Sequence, residues 1–146
     1  MNIRVAYYSA TGNTRKVASA IASAVGTEAV DIASCAHGSE PVDTLFLGAA
    51  VYANQDHGLH KTVKNFIADL DPQKIKRVAV FSTGFIQSEA LHMLRDLLDK
   101  QGIPVVEEGY FCLGRFTFFN MGHPNTKDIA DAAAFAKRVT GTPQER

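Results

Sequence analysis

The feature that most constrains the fold is the run TLFLGAAVY at positions 44–52, in which nearly every residue is apolar. A continuous apolar run, without polar alternation, is typical of a strand buried on both faces of a parallel sheet. Comparable short runs occur at 3–9, 28–32, 76–84 and 104–113. The last run is the most polar, so we expect its strand at an edge of the sheet.

Between these runs, apolar residues recur at helical spacing, which predicts four helices. The stripes are Val17, Ile21 and Val25; Leu59, Val63, Phe66, Ile67 and Leu70; Leu91, Leu94, Leu97 and Leu98; and Ile129, Ala133, Ala136 and Val139. Asp71 and Pro72 should stop the second helix, Gly102 should cap the end of the third, and Asn125 with Asp128 should cap the start of the fourth. Alternating strands and helices with short links indicate a parallel, doubly wound α/β sheet. The segment 33–43 is too short for more than a turn or two of helix.

Composition narrows the class of protein. A chain of 146 residues with 46% hydrophobic content suits a single domain over 1–146, with a frayed tail at 140–146. Its 15 basic and 15 acidic side chains cancel, which argues against a nucleic-acid partner and an anionic membrane surface. The first residues read as a strand and not as a signal peptide, and no apolar stretch is long enough to predict a membrane span. Cys35 and Cys112 are far apart in sequence and fit free thiols in a reducing cytoplasm.

The segment SATGNT, residues 9–14, follows the first strand and leads into the first helix. In such a sheet, ligands bind beyond the carboxyl ends of the strands at the point where the strand order reverses. Backbone N–H groups entering a helix form an anion site, and the hydroxyls of Ser9, Thr11 and Thr14 add neutral donors. A phosphate could therefore be held without lysine. The alternative is a helix capped by Asn13 or Thr11, with no ligand. The loop carries neither a Walker motif nor a dinucleotide fingerprint.

SATGNT resembles the S/T-x-T-G-x-T phosphate loop of flavodoxins. The resemblance extends over nearly the whole chain and, because the fifth strand has no long insert, is to the short-chain flavodoxins. It implies a flavodoxin-like, doubly wound sheet of five parallel strands in the order 2-1-3-4-5, with helices on both faces. It also implies the cofactor flavin mononucleotide (FMN), its 5′-phosphate held by Ser9, Ala10, Thr11, Gly12, Asn13 and Thr14.

Two further segments are similar to the flavodoxin loops that enclose the flavin ring. LGAAVYANQD, at 47–56, implies cofactor contacts from Val51, Tyr52, Ala53 and Asn54, with Tyr52 stacked on the ring. STGFIQSEA, at 82–90, implies contacts from Thr83, Gly84 and Phe85 on the other side. Tyr52 could instead be an ordinary aromatic residue at a strand end, and Phe85 could pack beneath its loop.

The chain departs from the family pattern near the ring. Ala53 stands where many flavodoxins have a glycine, and Asn54 and Gln55 stand in a loop that is usually acidic. His57, His123 and the aromatic segment GRFTFFNMG at 114–122 could lie near the ring, although surface, turn-stabilising or core roles are open for each. The spacing of histidines and cysteines indicates no metal site.

The resemblance implies an FMN-binding flavoprotein of electron transport, an oxidoreductase component in the cytoplasm that exchanges electrons with a redox partner protein. That partner would be a reductase or an acceptor enzyme. Two alternatives stay open: a flavin-dependent NAD(P)H or quinone reductase, and a regulatory module that binds FMN or phosphate without redox chemistry. The sequence assigns no catalytic residue to the protein itself.

Overall fold

The structure is a computed structural model that describes residues 2–34, 40–50, 58–84, 89–115 and 121–141. Within these ranges, strands and helices alternate along the chain. They are β1 (Ile3–Tyr7), α1 (Asn13–Val25), β2 (Ala29–Asp31), β3 (Thr44–Gly48), α2 (Lys61–Ala68), β4 (Val78–Gly84), α3 (Glu89–Lys100), β5 (Tyr110–Leu113) and α4 (Thr126–Thr140). The strands form one five-stranded parallel sheet in the order β2-β1-β3-β4-β5, which confirms the predicted fold class and the edge position of β5.

The strand order reverses beside β1, which pairs with β2 on one side and β3 on the other. Tyr7 lies opposite Asp31 of β2 and Gly48 of β3, so the carboxyl ends of the three strands meet. The switch point is therefore directly beyond Tyr7, where SATGNT begins.

Each face of the sheet carries its own hydrophobic core. On one face α1 and α4 pack over a core with the fully buried rings of Phe46, Phe81 and Phe135. On the other face α2 and α3 pack over a core built on Leu47 and Val80. All five residues of β3 are buried, as the run at 44–52 predicts.

The strands are shorter than the apolar runs that predict them, most clearly at β5. Val105 forms an isolated bridge with Val78, and Tyr110 pairs with Phe81. The chain therefore advances five residues from Val105 to Tyr110 while β4 advances three from Val78 to Phe81. The segment therefore bulges away from β4 between these pairs, and Glu107 and Glu108 are exposed there.

The helix ends agree with most of the predicted signals. Asn125 and Asp128 form a complete capping box, and Gly102, with φ of +79°, follows α3. The fourth helix ends later than predicted, since Thr140 is its last residue and Gly141 its cap. Its buried face also differs: Ala132 and Phe135 are fully buried, whereas the predicted Ile129 and Ala133 are half-buried. No helix in the described ranges is long and apolar enough to cross a membrane.

The described parts of the segment 33–43 form no helix, in agreement with its short length. Beside it, a cleft of about 790 Å³ opens over the sheet between β2 and the end of α2. Val30 of β2 lines this cleft and is 40% exposed. The cleft lies away from the carboxyl end of β1, where the sequence places the candidate site.

Candidate functional site

The loop at residues 9–14 is closed by one of its own hydroxyls. Ser9 Oγ accepts a hydrogen bond from the Gly12 N–H at 2.9 Å. Gly12 has a φ of +91°, a left-handed conformation that glycine adopts without strain, and it is the N-cap of α1. Because its proton is not used in this bond, the Ser9 hydroxyl can still donate to a ligand.

The amino end of α1 suits an anion. The N-cap residue is Gly12 and no side chain accepts from the first-turn N–H groups at this cap, so the alternative of a helix capped by Asn13 or Thr11 is wrong. The first turn contains no acidic residue; instead Arg15 and Lys16 are exposed there. The helix dipole and these two cations favour negative charge at this end. Ala10 and Thr11 are exposed at the top of the loop.

Thr14 lies deeper than the rest of the loop. Its side chain is fully buried, and its Oγ lies 2.9 Å from the Oγ of Thr83 near the carboxyl end of β4. Thr83 lies on the sheet face that α1 covers because side chains alternate along β4, and Phe81, two residues earlier, belongs to the α1 core. The structure thus brings Thr14 of the first loop into contact with Thr83.

A third segment meets the start of α1 after β5. The Asn13 side-chain amide donates to the Arg115 carbonyl at 2.9 Å. A Cβ at Gly114 would lie only 2.8 Å from Asn13 Nδ2, so this approach requires glycine. Gly114 N–H in turn donates to the Gly84 carbonyl. The Asn13 side chain therefore positions the segment that follows β5 against the start of α1.

Sequence reasoning left open that the segment 114–122 lies near the ring, but it did not identify the contact of Gly114 and Arg115 with the start of α1. The signal available was their position, directly beyond the carboxyl end of the fifth strand, which by the same switch-point rule brings them near the first loop.

The predicted ring contacts lie mostly outside the described residues. Val51, Tyr52, Ala53, Asn54 and Phe85 all fall there, so their roles stay predictions. The same holds for His57 and for Phe116, Phe118 and Phe119. Gly84 is described, half-buried at the end of β4.

His123 holds the turn that leads into α4. Its Nδ1 lies 2.7 Å from Asp128 Oδ2, which also accepts from the Asn125 N–H. Its carbonyl accepts from the Arg115 N–H, and this bond joins the two ends of the segment 115–123. The turn-stabilising role left open for His123 is therefore the one that the structure shows.

Cys112 of β5 is a buried free thiol, as predicted. Burial, together with the nearby Asp128 carboxylate, raises the pKa of its thiol to about 12. Burial also raises the pKa of the adjacent Tyr110. Both groups stay protonated at physiological pH. In the part of the chain that the structure describes, histidine, cysteine and acidic side chains form no cluster that could bind a metal ion.

The fold and this loop define a doubly wound α/β protein in which an uncapped helix start lies at the switch point of the sheet. A sequence model of the flavodoxin domain matches residues 4–112. An uncharacterised protein of Methanocaldococcus jannaschii is 30% identical over 138 residues, which cover 87% of this chain and 89% of that protein. The chain belongs to the flavodoxin family.

Solved structures share the fold. Oxidised flavodoxin 1 from Bacillus cereus superposes with a TM-score of 0.76 at 22% identity, covering 99% of this chain and all of that one. Rubredoxin oxygen:oxidoreductase from Desulfovibrio gigas superposes with a TM-score of 0.71 at 17% identity. The match covers 93% of this chain but 34% of the longer one, so the same fold also occurs there as part of a larger chain.

Proposed function

We propose that the protein binds FMN at the carboxyl end of β1 and acts as a one- or two-electron carrier to a redox partner protein. The observation that carries this proposal is the amino end of α1 at the switch point, with no side-chain cap and no acidic residue, in a chain of the flavodoxin family. Such a helix end is suited to a phosphate group.

The residues present fit the phosphate end of this cofactor. The hydroxyls of Ser9, Thr11 and Thr14 and the backbone N–H groups of Asn13 and Thr14 would hold it, with exposed Arg15 and Lys16 adding charge. The ring would lie among Val51, Tyr52, Ala53 and Asn54 on one side, and Gly84 and Phe85 on the other. When bound, FMN supplies the redox chemistry, and the protein supplies placement and electrostatics.

Titration of the apo-protein with FMN, riboflavin and FAD, followed by flavin fluorescence quenching, tests the phosphate assignment. We expect FMN to bind more tightly than riboflavin, which lacks the phosphate, and more tightly than FAD. Replacing Thr11 and Thr14 together by valine should weaken FMN binding by about 1.5–3 kcal/mol for each lost hydrogen bond to the charged group.

Thr126→Val is the matched control, because Thr126 is an exposed threonine at the start of α4, where Asn125 caps the helix. It should leave FMN binding unchanged. Equal affinities for FMN and riboflavin would overturn the phosphate site. Rapid oxidation of NADH by the FMN-loaded protein alone would favour a reductase over a carrier.

A further inference from the structure

The hydroxyl pair formed by Thr14 and Thr83 is buried, with side chains 0% and 3% exposed. The two oxygens are 2.9 Å apart, a normal distance for a hydrogen bond between hydroxyls. Each hydroxyl has one proton and two lone pairs, so one threonine donates to the other and each arrangement has a different consequence.

If Thr14 donated to Thr83, its only proton would be used, and Thr14 would present lone pairs to the loop. Lone pairs facing an anion are unfavourable. If Thr83 donates, the Thr14 oxygen is satisfied as an acceptor and its proton is available at the amino end of α1. An anion at this end therefore selects the second arrangement.

The backbone of Thr83 is held in place by strand pairing. It belongs to β4, which pairs with β3 through Phe81 and with β5 through Gly84. Thr83 itself lies opposite Cys112 of β5, and Phe81, on the same face, is fully buried. The sheet thus positions Thr83, and helix α1 positions Thr14.

We propose that Thr83 is a positioning residue of the phosphate site: it donates to Thr14 Oγ and thereby directs the Thr14 proton to the phosphate monoester. This inference rests on the proposed function. It assigns Thr83 to the phosphate rather than to the flavin ring. The carboxyl end of β4 then belongs to the phosphate site together with the amino end of α1.

The test compares FMN with riboflavin in the variants Thr83→Val, Thr83→Ser, Thr14→Val and Thr14→Val/Thr83→Val. Valine keeps the shape of threonine and removes the hydroxyl. We expect Thr83→Val to weaken FMN binding about three- to tenfold, the scale of one net hydrogen bond, and to change riboflavin binding less than about twofold. Thr83→Ser should restore FMN binding. Because Thr83 acts through Thr14, adding Thr83→Val to Thr14→Val should have no further effect.

A second readout does not use the flavin. Inorganic phosphate should raise the urea midpoint of the parent apo-protein, because a ligand that binds the folded state stabilises it, and this rise should be smaller in Thr83→Val. Thr44→Val is the control for loss of a buried threonine, since Thr44 is fully buried at the other end of β3 and accepts from Arg77 Nε. It should leave the FMN to riboflavin affinity ratio unchanged.

The outcomes separate the two claims. A parent protein that does not prefer FMN over riboflavin overturns the proposed function and this inference with it. A parent preference that Thr83→Val leaves intact overturns the inference alone. Equal weakening of FMN and riboflavin by Thr83→Val, or a further loss in the Thr14→Val background, also overturns it by showing a merely structural role.

Discussion

At the scale of single residues, Gly48 shows how closely the top of the sheet is packed. A Cβ at this position would overlap the ring of Phe81, which lies opposite in β4 and is fully buried. The Phe81 ring lies in the core beneath α1, two residues before Thr83 along β4. A glycine is needed here for space, since no left-handed backbone conformation is involved.

Gly48→Ala should therefore lower the free energy of unfolding by about 3 kcal/mol, the upper end of typical overpacking costs, because the Phe81 ring cannot move aside. Urea denaturation measures the change. Gly109→Ala is the control: its new Cβ would meet the flexible end of Arg95 at 3.0 Å, so we expect a loss below about 1 kcal/mol. Equal losses in the two variants would contradict this explanation.

Cys112 should be unreactive in the folded protein. Its raised pKa, about 12 against an ordinary 9.0, leaves almost no thiolate, which is the reactive form. In a Cys35→Ser variant, only Cys112 remains to react with iodoacetamide. We expect no modification by mass spectrometry in buffer at mildly alkaline pH, and full modification in concentrated guanidinium chloride. Rapid labelling of the native variant would show that the thiol is accessible.

The pattern of the sequence predicts the first loop well at this scale, but not its partners. Ser9 and Thr14 were predicted as phosphate ligands, and that prediction stays untested; what the sequence did not show is that Ser9 also accepts from the Gly12 N–H and that Thr14 also pairs with Thr83. Such pairings depend on which face of β4 α1 covers, and this information is not local in the sequence. The partnership of Asn13 with Arg115, 102 positions away, was missed for the same reason.

At the scale of elements, α4 has the best-defined beginning. Asn125 accepts from the Asp128 N–H at 2.8 Å, and Asp128 accepts from the Asn125 N–H at 2.9 Å. The Asp128 carboxylate also pairs with the His123 ring, and the Asp128 backbone carbonyl accepts a hydrogen bond from the Tyr110 hydroxyl. The capping box therefore ties α4 both to the turn before it and to β5.

Asn125→Ala should lower the free energy of unfolding by about 1 kcal/mol, within the usual range for loss of an N-cap. The comparison is Lys127→Ala, which removes an exposed ion pair with Asp131 in the same turn of helix. Since such pairs contribute only about 0.3–0.5 kcal/mol, this variant should lose less. Urea unfolding of both proteins side by side provides the measurement, and a larger loss in Lys127→Ala would contradict the ranking.

The existence and type of every described element could be predicted because the spacing of apolar residues follows the side chains that each strand or helix buries. Boundaries were less predictable. Apolar residues continue past the end of β3 into Ala49 and Ala50, which are buried without being part of the strand. In α4 the predicted stripe was offset, since the small residues Ala132, Ala133 and Ala136 do not by themselves distinguish a core face from its neighbour; Phe135, which stacks on Tyr110, is the residue that fixes it.

At the scale of the whole molecule, the net charge is zero, with 15 basic and 15 acidic side chains. A carrier without net charge cannot be steered to its partner over long distances by that charge, so recognition should depend on local apolar contact. The segment 114–122 is the candidate surface. Residues 116–120 lie outside the described residues, but Met121 near the carboxyl end of the segment is 61% exposed.

Electron exchange between the FMN-loaded protein and an NADPH-dependent flavodoxin reductase should therefore vary less than about twofold in rate between low salt and a few tenths molar sodium chloride. The weak dependence follows because screening reduces only a long-range attraction that this chain lacks. Stopped-flow absorbance measures the rate. A steep decline with salt would show that local charge, rather than apolar contact, governs the encounter.

The short connection between β2 and β3 has a consequence for how the sheet opens. β2 has three residues, pairs only with β1, and has a cleft rather than a described helix over its Val30 face. Few contacts oppose local opening there, so amide hydrogens in β2 should exchange with deuterium well before those of β3 and β4, which are buried between other strands. Such an opening would leave β1, β3 and β4 joined, and with them the bond between Thr14 and Thr83. The β2 edge of the sheet can thus open locally while the loop that follows β1 keeps its contacts.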